Sequence, residues 1–198
     1  MSVQPSEVTG ITTVSDGEYL FGSSSILKYD DIEFGGLSDM TVKWDMKTSE
    51  GFNEPQPDQQ LNIFWYGYHT SCGWGFIIRR HENTDAQDMY TVGQDLSNGQ
   101  TYSSNDGSAF AYADVLPADF DWSVYHTYRV VKEGSKVIVY IDHYVFDLGS
   151  SMQATVETCP DKMKFGAWNP SAGYLLNGAT LKNIQFWYSA QYRNKNCL

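Results

Sequence analysis

Apolar and polar residues alternate along most of this chain with a period of two, and no stretch sustains a period of 3.6. The clearest run is residues 125–148, YHTYRVVKEGSKVIVYIDHYVFDL. Tyr128, Val130 and Lys132 alternate with Arg129 and Val131, Glu133, Gly134 and Ser135 interrupt, and Val137, Val139 and Ile141 then alternate with Ile138, Tyr140 and Asp142. β-Branched and aromatic residues at period two around a short Gly-containing turn predict a hairpin. Asp142-His143 predicts a second reversal, which returns residues 144–146 as a third strand.

The same reading predicts short strands at 19–21 and 26–29 around a turn at 22–25. At 40–47 it places Met40, Val42, Trp44 and Met46 on one face. Residues 61–68, 75–81, 89–92, 162–168 and 180–188 follow, the last with Ile184, Phe186 and Tyr188 opposite Gln185 and Trp187. Residues 110–115 pair briefly. Residues 49–60 and 93–107 are loops by their Gly, Pro, Asn, Ser and Asp content, and 117–122 is the place for a single helical or 3₁₀ turn. Roughly a dozen short strands with regular turn signals indicate an all-β fold, a two-sheet antiparallel β-sandwich. A meander cannot bury its apolar face alone, so an opposing sheet is required. We read residues 1–198 as a single β-sandwich domain with an N-terminal arm or loosely paired edge strand at 1–17 and a C-terminal tail at 189–198.

Charge narrows the choice of partner. The chain carries 24 acidic and 13 basic residues, for a net charge of −11, and its only adjacent cations are Arg79 and Arg80. Phosphate backbones and anionic membrane surfaces call for clustered positive charge, so neither nucleic acid nor a membrane is an expected partner. No apolar run approaches the ~20 residues of a membrane span. Residues 1–14 lack the basic start and apolar segment of a secretory leader. The sequence leaves its location undetermined between the cytosol, a virion and the outside of a cell reached by an unencoded route. Aromatic residues make up 15%, including 14 Tyr and 6 Trp, more than a minimal core requires. Some rings are therefore expected to line a ligand site or a contact in a homo-oligomer. Cys72, Cys159 and Cys197 match no zinc spacing; Cys72 and Cys159 are read as free thiols or one bridge.

Three stretches, GLSDMTVKWDMKT (36–48), HTYRVVKEGSKVIVYIDHYVFD (126–147) and GATLKNIQFWY (178–188), resemble the concanavalin A-like lectin and glucanase superfamily, a jelly roll that includes laminin G-like modules. The resemblance implies sugar-binding lectins, glycoside hydrolases, polysaccharide lyases or adhesion modules. Glycosidases of that fold set two carboxylates on alternate positions of one strand, roughly 5 Å apart. No such E-x-D-x-E pattern occurs here. Calcium is bound by many members; Asp119, Asp121, Asp142 and Asp147 supply oxygens, but no D-x-D-x-D loop is present, and no cofactor is expected.

Sugars present apolar C–H faces and hydroxyl edges, which suit aromatic side chains beside hydrogen-bonding groups. The candidate ligand-binding residues are Tyr66, Tyr68, Trp74, Arg79, His81, Tyr140, His143 and Trp168, although Tyr66 and Tyr68 share a face with Phe64 and equally fit a core. A lyase would use His69, Arg79 and Tyr90, as base and as neutraliser of a uronic carboxylate. The expected function is a carbohydrate-binding, lectin-like module using aromatic residues on a concave sheet face. A polysaccharide lyase acting on an acidic glycan and a structural subunit of a virion or extracellular assembly are the alternatives.

Overall fold

The computed structural model describes residues 3–15, 17–52, 59–68, 72–80, 87–95, 100–103, 110–111, 115–117, 119–150, 152–166 and 176–192; of these, 59–60, 68, 79–80, 87–95, 100–103 and 110–111 enter as backbone only. The described strands are β1 (Glu7–Ser15), β2 (Glu18–Tyr29), β3 (Met40–Lys47), β4 (Gln59–Tyr68), β5 (Cys72–Arg80), β6 (Gln87–Asp95), β7 (Gln100–Ser103), β8 (Phe110–Ala111), β9 (His126–Glu133), β10 (Lys136–Ile141), β11 (Tyr144–Asp147), β12 (Met163–Gly166) and β13 (Thr180–Trp187). All pairings are antiparallel. Their order is β11-β10-β9-β3-β13-β2-β12-β4-β5-β6-β7, with β1 beside β2 and β8 beside β6.

This path folds over on itself at β2. Glu18, Tyr19 and Leu20 pair with β13, whereas Ile26 to Tyr29 pair with β12, so one strand belongs to both layers. Trp44 of β3 accordingly meets Phe64 of β4, Phe76 of β5 and Phe165 of β12 at ring-centroid distances of 5.8, 6.1 and 5.7 Å, and stacks on its cross-strand neighbour Tyr128 at 5.4 Å. The sandwich core is built around that indole, which is 0% exposed. Met40, Val42, Trp44 and Met46 are all buried, as the alternation predicts.

The sequence reading split β2 in two around a turn at 22–25. The strand is instead continuous and bends there, because β1 follows it along its length. Ser25 is buried; its Oγ donates to the Gly10 carbonyl and accepts from the Gly22 amide at 2.6 Å, so the irregular backbone groups at the bend are satisfied within the β1–β2 pair. Residues 1–17 are expected as an arm or a loosely paired edge strand, and over Glu7–Ser15 the described chain is a strand paired to β2. Two further expectations shift. The 3₁₀ helix among the described residues is Glu50–Phe52, inside the stretch read as a loop; in the stretch expected to hold a single turn, the Phe120 N–H donates to the Pro117 carbonyl at 3.0 Å, an i→i+3 contact. Residues 100–103, read as loop, form β7, since the edge of β6 is open to them.

β5 starts at Cys72, three residues earlier than periodicity suggests, because β4 and β5 remain paired to Tyr68–Cys72. Gly73, opposite Gly67, makes this close approach feasible: a Cβ there would stand 1.9 Å from the Tyr66 carbonyl oxygen. Cys72 and Cys159 form a disulfide across a sequence separation of 87, tying the end of the β4–β5 hairpin to the segment that leads into β12. On β13, Asn183 adopts φ 54° at a register shift, which lets both Leu181 and Ile184 face the core on either side of it.

Lys132 sits on the core side of β9, where the alternation places it, and is 0% exposed. Its ammonium donates to the carbonyls of Ser38 (3.1 Å), Gly134 (2.5 Å) and Ala154 (2.9 Å), so all three N–H groups are used. It thereby joins the strand to its own turn and to two loops. Burial pushes its pKa down to about 8, against the opposing pull of Asp39.

Two expectations follow. The unfolded chain holds the Lys132 proton up to about pH 10.5 and the folded chain releases it near 8, so its contribution to stability rises with pH across that window, by ~3 kcal/mol in all. Urea denaturation at pH 7, 8, 9 and 10 should show wild type gaining on Lys132→Met over this range, with no such change below pH 8. Reducing the Cys72–Cys159 bridge, or replacing both cysteines by Ser, should cost about 2–4 kcal/mol through the freed loop, read from denaturation midpoints with and without reductant.

Candidate functional site

The outer faces of β3, β9 and β10 carry the residues that alternate with the core. In register, Gln185, Lys43, Arg129, Tyr140 and Val145 form one row across β13, β3, β9, β10 and β11. Asp45 and Thr127 begin the next. At the end of β10, Asp142 takes φ 51°, a left-handed conformation that Asp tolerates, and the two-residue turn Asp142-His143 closes Ile141 on Tyr144 as predicted. Lys43, Thr127, Arg129, Tyr140, Asp142 and His143 line a recess of about 370 Å³ on this face.

The Asp142 carboxylate is held in place. Oδ1 accepts the Thr127 amide at 2.8 Å and Oδ2 lies 2.6 Å from His126 Nδ1. His126 Nε2 faces the Asp121 carbonyl at 2.8 Å. Both ring nitrogens are thus in hydrogen-bonding contact with oxygens of Asp142 and Asp121. Phe120 stacks on the imidazole at 4.2 Å and fixes its plane. Thr127 Oγ1 donates to Asp45 at 2.7 Å, and Asn183 donates to the other Asp45 oxygen at 2.6 Å. Arg129 Nη1 donates to the Gln191 carbonyl at 3.2 Å, where the segment after β13 passes over the sheet. Within the stretch read as a tail, Tyr192 donates to Glu133. The result is a polar-walled recess with cations at one end and an oriented carboxylate at the other.

Tyr140 and His143 were among the expected ligand-binding residues, and the fold brings them together here. Tyr140 is 9% exposed, so little of its surface is open to the recess; the His143 ring leans on Tyr144 at 4.0 Å. The expectation for Trp74 is corrected: it is 0% exposed, packed against Phe64 at 5.0 Å and Phe34 at 6.4 Å, because its position on β5 faces the sandwich interior. Tyr66 is corrected likewise. Its ring is buried, and its hydroxyl donates to Glu33, which also pairs with Lys162; burial and that carboxylate push the phenol up to about 12. Trp65, on the other face of β4, is buried too and lies over Gly75, where a Cβ would come within 2.5 Å of the indole.

His69, His81 and Trp168 lie outside the described residues. Tyr68, Arg79 and Tyr90 are placed by backbone: Tyr68 opposite Cys72, Arg79 opposite Gln60 and Asp88, and Tyr90 opposite Ile77. Among the oxygen donors weighed for calcium, Asp121 accepts from Ser123, Asp147 pairs with Lys136 at 3.0 Å, and Asp142 is engaged as above. No group of three or more His, Cys, Asp and Glu poised around a metal is found among the described residues. A second recess, of about 340 Å³, lies beside Glu18, Tyr19 and Lys182. Its Glu18 carboxylate is engaged by Tyr125 and Ser15, which hold it below the usual range.

By sequence, the chain matches no protein-family model and no curated protein. By structure it is similar to the binding domain of botulinum neurotoxin serotype D, with a TM-score of 0.57 at 13% identity over 94% of this chain and 43% of that one. It is also similar to Trypanosoma rangeli sialidase, with a TM-score of 0.55 at 8% identity over 94% and 27%. An alginate lyase from Alteromonas sp. 272 aligns over 91% and 92%, with a TM-score of 0.48 at 12% identity. Likeness to the neurotoxin domain and the sialidase at such identities is one of fold, and it accords with an all-β sandwich of jelly-roll type. The chain spans less than half the length of the neurotoxin domain and about a quarter of the sialidase.

Asp142→Asn keeps the left-handed turn and the Thr127 contact but removes the charge facing His126. It should cost about 1 kcal/mol, measured by urea denaturation, with Asp142→Gly as the control that preserves the turn without any side-chain acceptor.

Proposed function

We propose that this chain is a carbohydrate-binding module of the concanavalin A-like class, and that it takes its ligand in the recess formed by β3, β9 and β10. The observation that carries the reading is the convergence there of donors and acceptors from three adjacent strands beside Tyr140 and His143. Lys43 and Arg129 are donors, the Asp142 carboxylate is an acceptor, and Tyr140 and His143 border the opening. A sugar ring offers several hydroxyls at fixed spacing, and a rigid sheet presents complementary groups without reordering them. The site differs from the expected aromatic platform: Tyr66 and Trp74 are spent on the core, so hydrogen bonds rather than stacking supply the contact.

A lyase acting through Arg79 and Tyr90 is the second reading. Ile77 and Arg79 alternate on β5, and Tyr90 and Asp88 lie opposite them on β6, so the register sets positions 79 and 90 diagonally across one face of the sheet. That is the juxtaposition a carboxylate neutraliser and a base require.

Titration calorimetry against a panel of neutral and uronic oligosaccharides tests the first reading. Binding by the wild type should be lost, by about tenfold or more, in Asp142→Gly and in the double variant Tyr140→Phe with His143→Ala, while thermal stability changes little for the latter. Binding that survives all these changes would move the site elsewhere. Rising ultraviolet absorbance from a new double bond, abolished in Tyr90→Phe, would favour the lyase.

A further inference from the structure

We infer that the recess between the end of β2 and the bulge of β13 is a second ligand site, for an uncharged sugar unit, with the Tyr29 hydroxyl as its buried donor. It is separate from the recess on β3, β9 and β10 and does not depend on the reading given to that one. The opening follows from the topology. β13 pairs with β2 over Thr180–Lys182, opposite Leu20–Glu18, and that pairing ends at the register shift after Lys182, where Asn183 takes φ 54°. Val3 and Gln4 also line the gap. The Ser6 N–H donates to the Lys28 carbonyl at 2.8 Å and the Asp30 N–H to Ser6 Oγ at 2.7 Å, which pins the segment before β1 to the end of β2. The space enclosed is about 340 Å³, at the small end of the about 300–1,000 Å³ of ligand clefts, room for one sugar unit rather than a chain.

Tyr29 lines this recess and is 2% exposed, its ring packed on Phe186 at 5.0 Å and Phe165 at 6.4 Å. Its hydroxyl has no hydrogen-bond partner among the described residues, yet it is not one of the polar atoms that the fold seals from solvent. Burial and the neighbouring Tyr19 raise its pKa, so the phenol keeps its proton and can donate. Buried polar groups are nearly always hydrogen-bonded. What remains to satisfy this one is whatever occupies the recess, and a ligand hydroxyl can take over the bond that a water makes there.

The other groups decide the class of ligand. Among the described lining residues there is one acid, Glu18, and one base, Lys182, directly opposite each other in register. Glu18 keeps its charge while accepting from the neutral hydroxyls of Tyr125 and Ser15, and the Lys182 ammonium lies 3.7 Å from the centre of the Tyr125 ring. Opposite charges at facing positions offset each other, so a phosphate or a carboxylate gains little from this lysine. Asn183 Nδ2 donates to Asp45 at 2.6 Å, which orients the amide and leaves its Oδ1 as an acceptor. The exposed Gln4 amide offers both a donor and an acceptor. Val3, Tyr19 and Ile184 add apolar surface. Donors, acceptors and an apolar patch with no net charge suit the hydroxyl edge and C–H face of a neutral sugar.

Titration calorimetry with glucose, galactose, mannose, N-acetylglucosamine and, as the charged probe, glucuronic acid tests the inference, together with amide NMR shifts of the isotope-labelled protein. At least one neutral sugar should bind and move the amides of Tyr29 and Lys182 to Ile184, with an affinity indifferent to salt. Tyr29→Phe should weaken that binding by about tenfold without lowering thermal stability, since no described residue bonds to the hydroxyl. Asn183→Gly, which tolerates the left-handed backbone, should weaken it as well. The double variant Tyr140→Phe with His143→Ala, which alters the other recess, should leave it in place. Sugar binding lost in that double variant but kept in Tyr29→Phe overturns this site and leaves the carbohydrate reading standing. Tighter, salt-dependent binding of glucuronic acid than of glucose overturns the uncharged class. Binding of none of these sugars overturns the inference, while the oligosaccharide panel decides the first recess separately.

Discussion

The contact of Trp44 with rings from the opposite sheet is the constraint from which the rest of the architecture follows. An indole at the middle of β3 that must touch Phe64, Phe76 and Phe165 requires β4, β5 and β12 to lie across from it, and a hydrogen-bonded path that places them several strands away can meet this only by folding over. The bend in β2 is where it does so. The Trp44 indole N–H has no hydrogen-bond acceptor among the described residues, a cost of order 1–3 kcal/mol for a buried donor. The ring is held there by its area and shape. Every residue that alternates with this set along β3 and β9 is then turned outward, and that is how Lys43, Arg129 and Thr127 come to share an outer face.

Much of this was legible in the alternation. The face of Met40, Val42, Trp44 and Met46, the hairpin through Gly134 and the reversal at Asp142-His143 were all readable, because a period of two and a positive-φ turn leave marks in the residues themselves. The continuity of β2 was not readable. Gly22 to Ser25 has the composition of a turn, and only the long-range partner β1, with Gly10 opposite the bend, makes it a strand. Trp74 failed for a related reason. A tryptophan beside glycines looks like a rim residue until the β4–β5 register is known to extend to Cys72.

The candidate site divides in the same way. Tyr140 and His143 could be named from one stretch of chain, and the pattern already put Lys43 and Arg129 on the polar sides of their strands. What the alternation cannot supply is adjacency. That β3 lies beside β9 with Lys43 facing Arg129 is a property of strand order, and strand order is decided by the packing of the whole core. Net charge was misleading here too: a total of −11 describes the average surface and says nothing about two cations that the register brings together.

The position of β13 bears on how such a chain acquires its structure. The last of the described strands lies between β3 and β2, two of the first, so the long-range pairings that complete that layer wait for a segment more than 130 positions downstream in sequence. Closing loops of that size is entropically costly and slow. During synthesis β2 and β3 would each present an unpaired edge, the kind of surface on which other chains add strands. The polar residues Lys43, Asp45 and Lys47 along β3 lower that hazard while the edge is open. The charges that shape a recess in the finished sandwich would thus also serve as gatekeepers of the unfinished one.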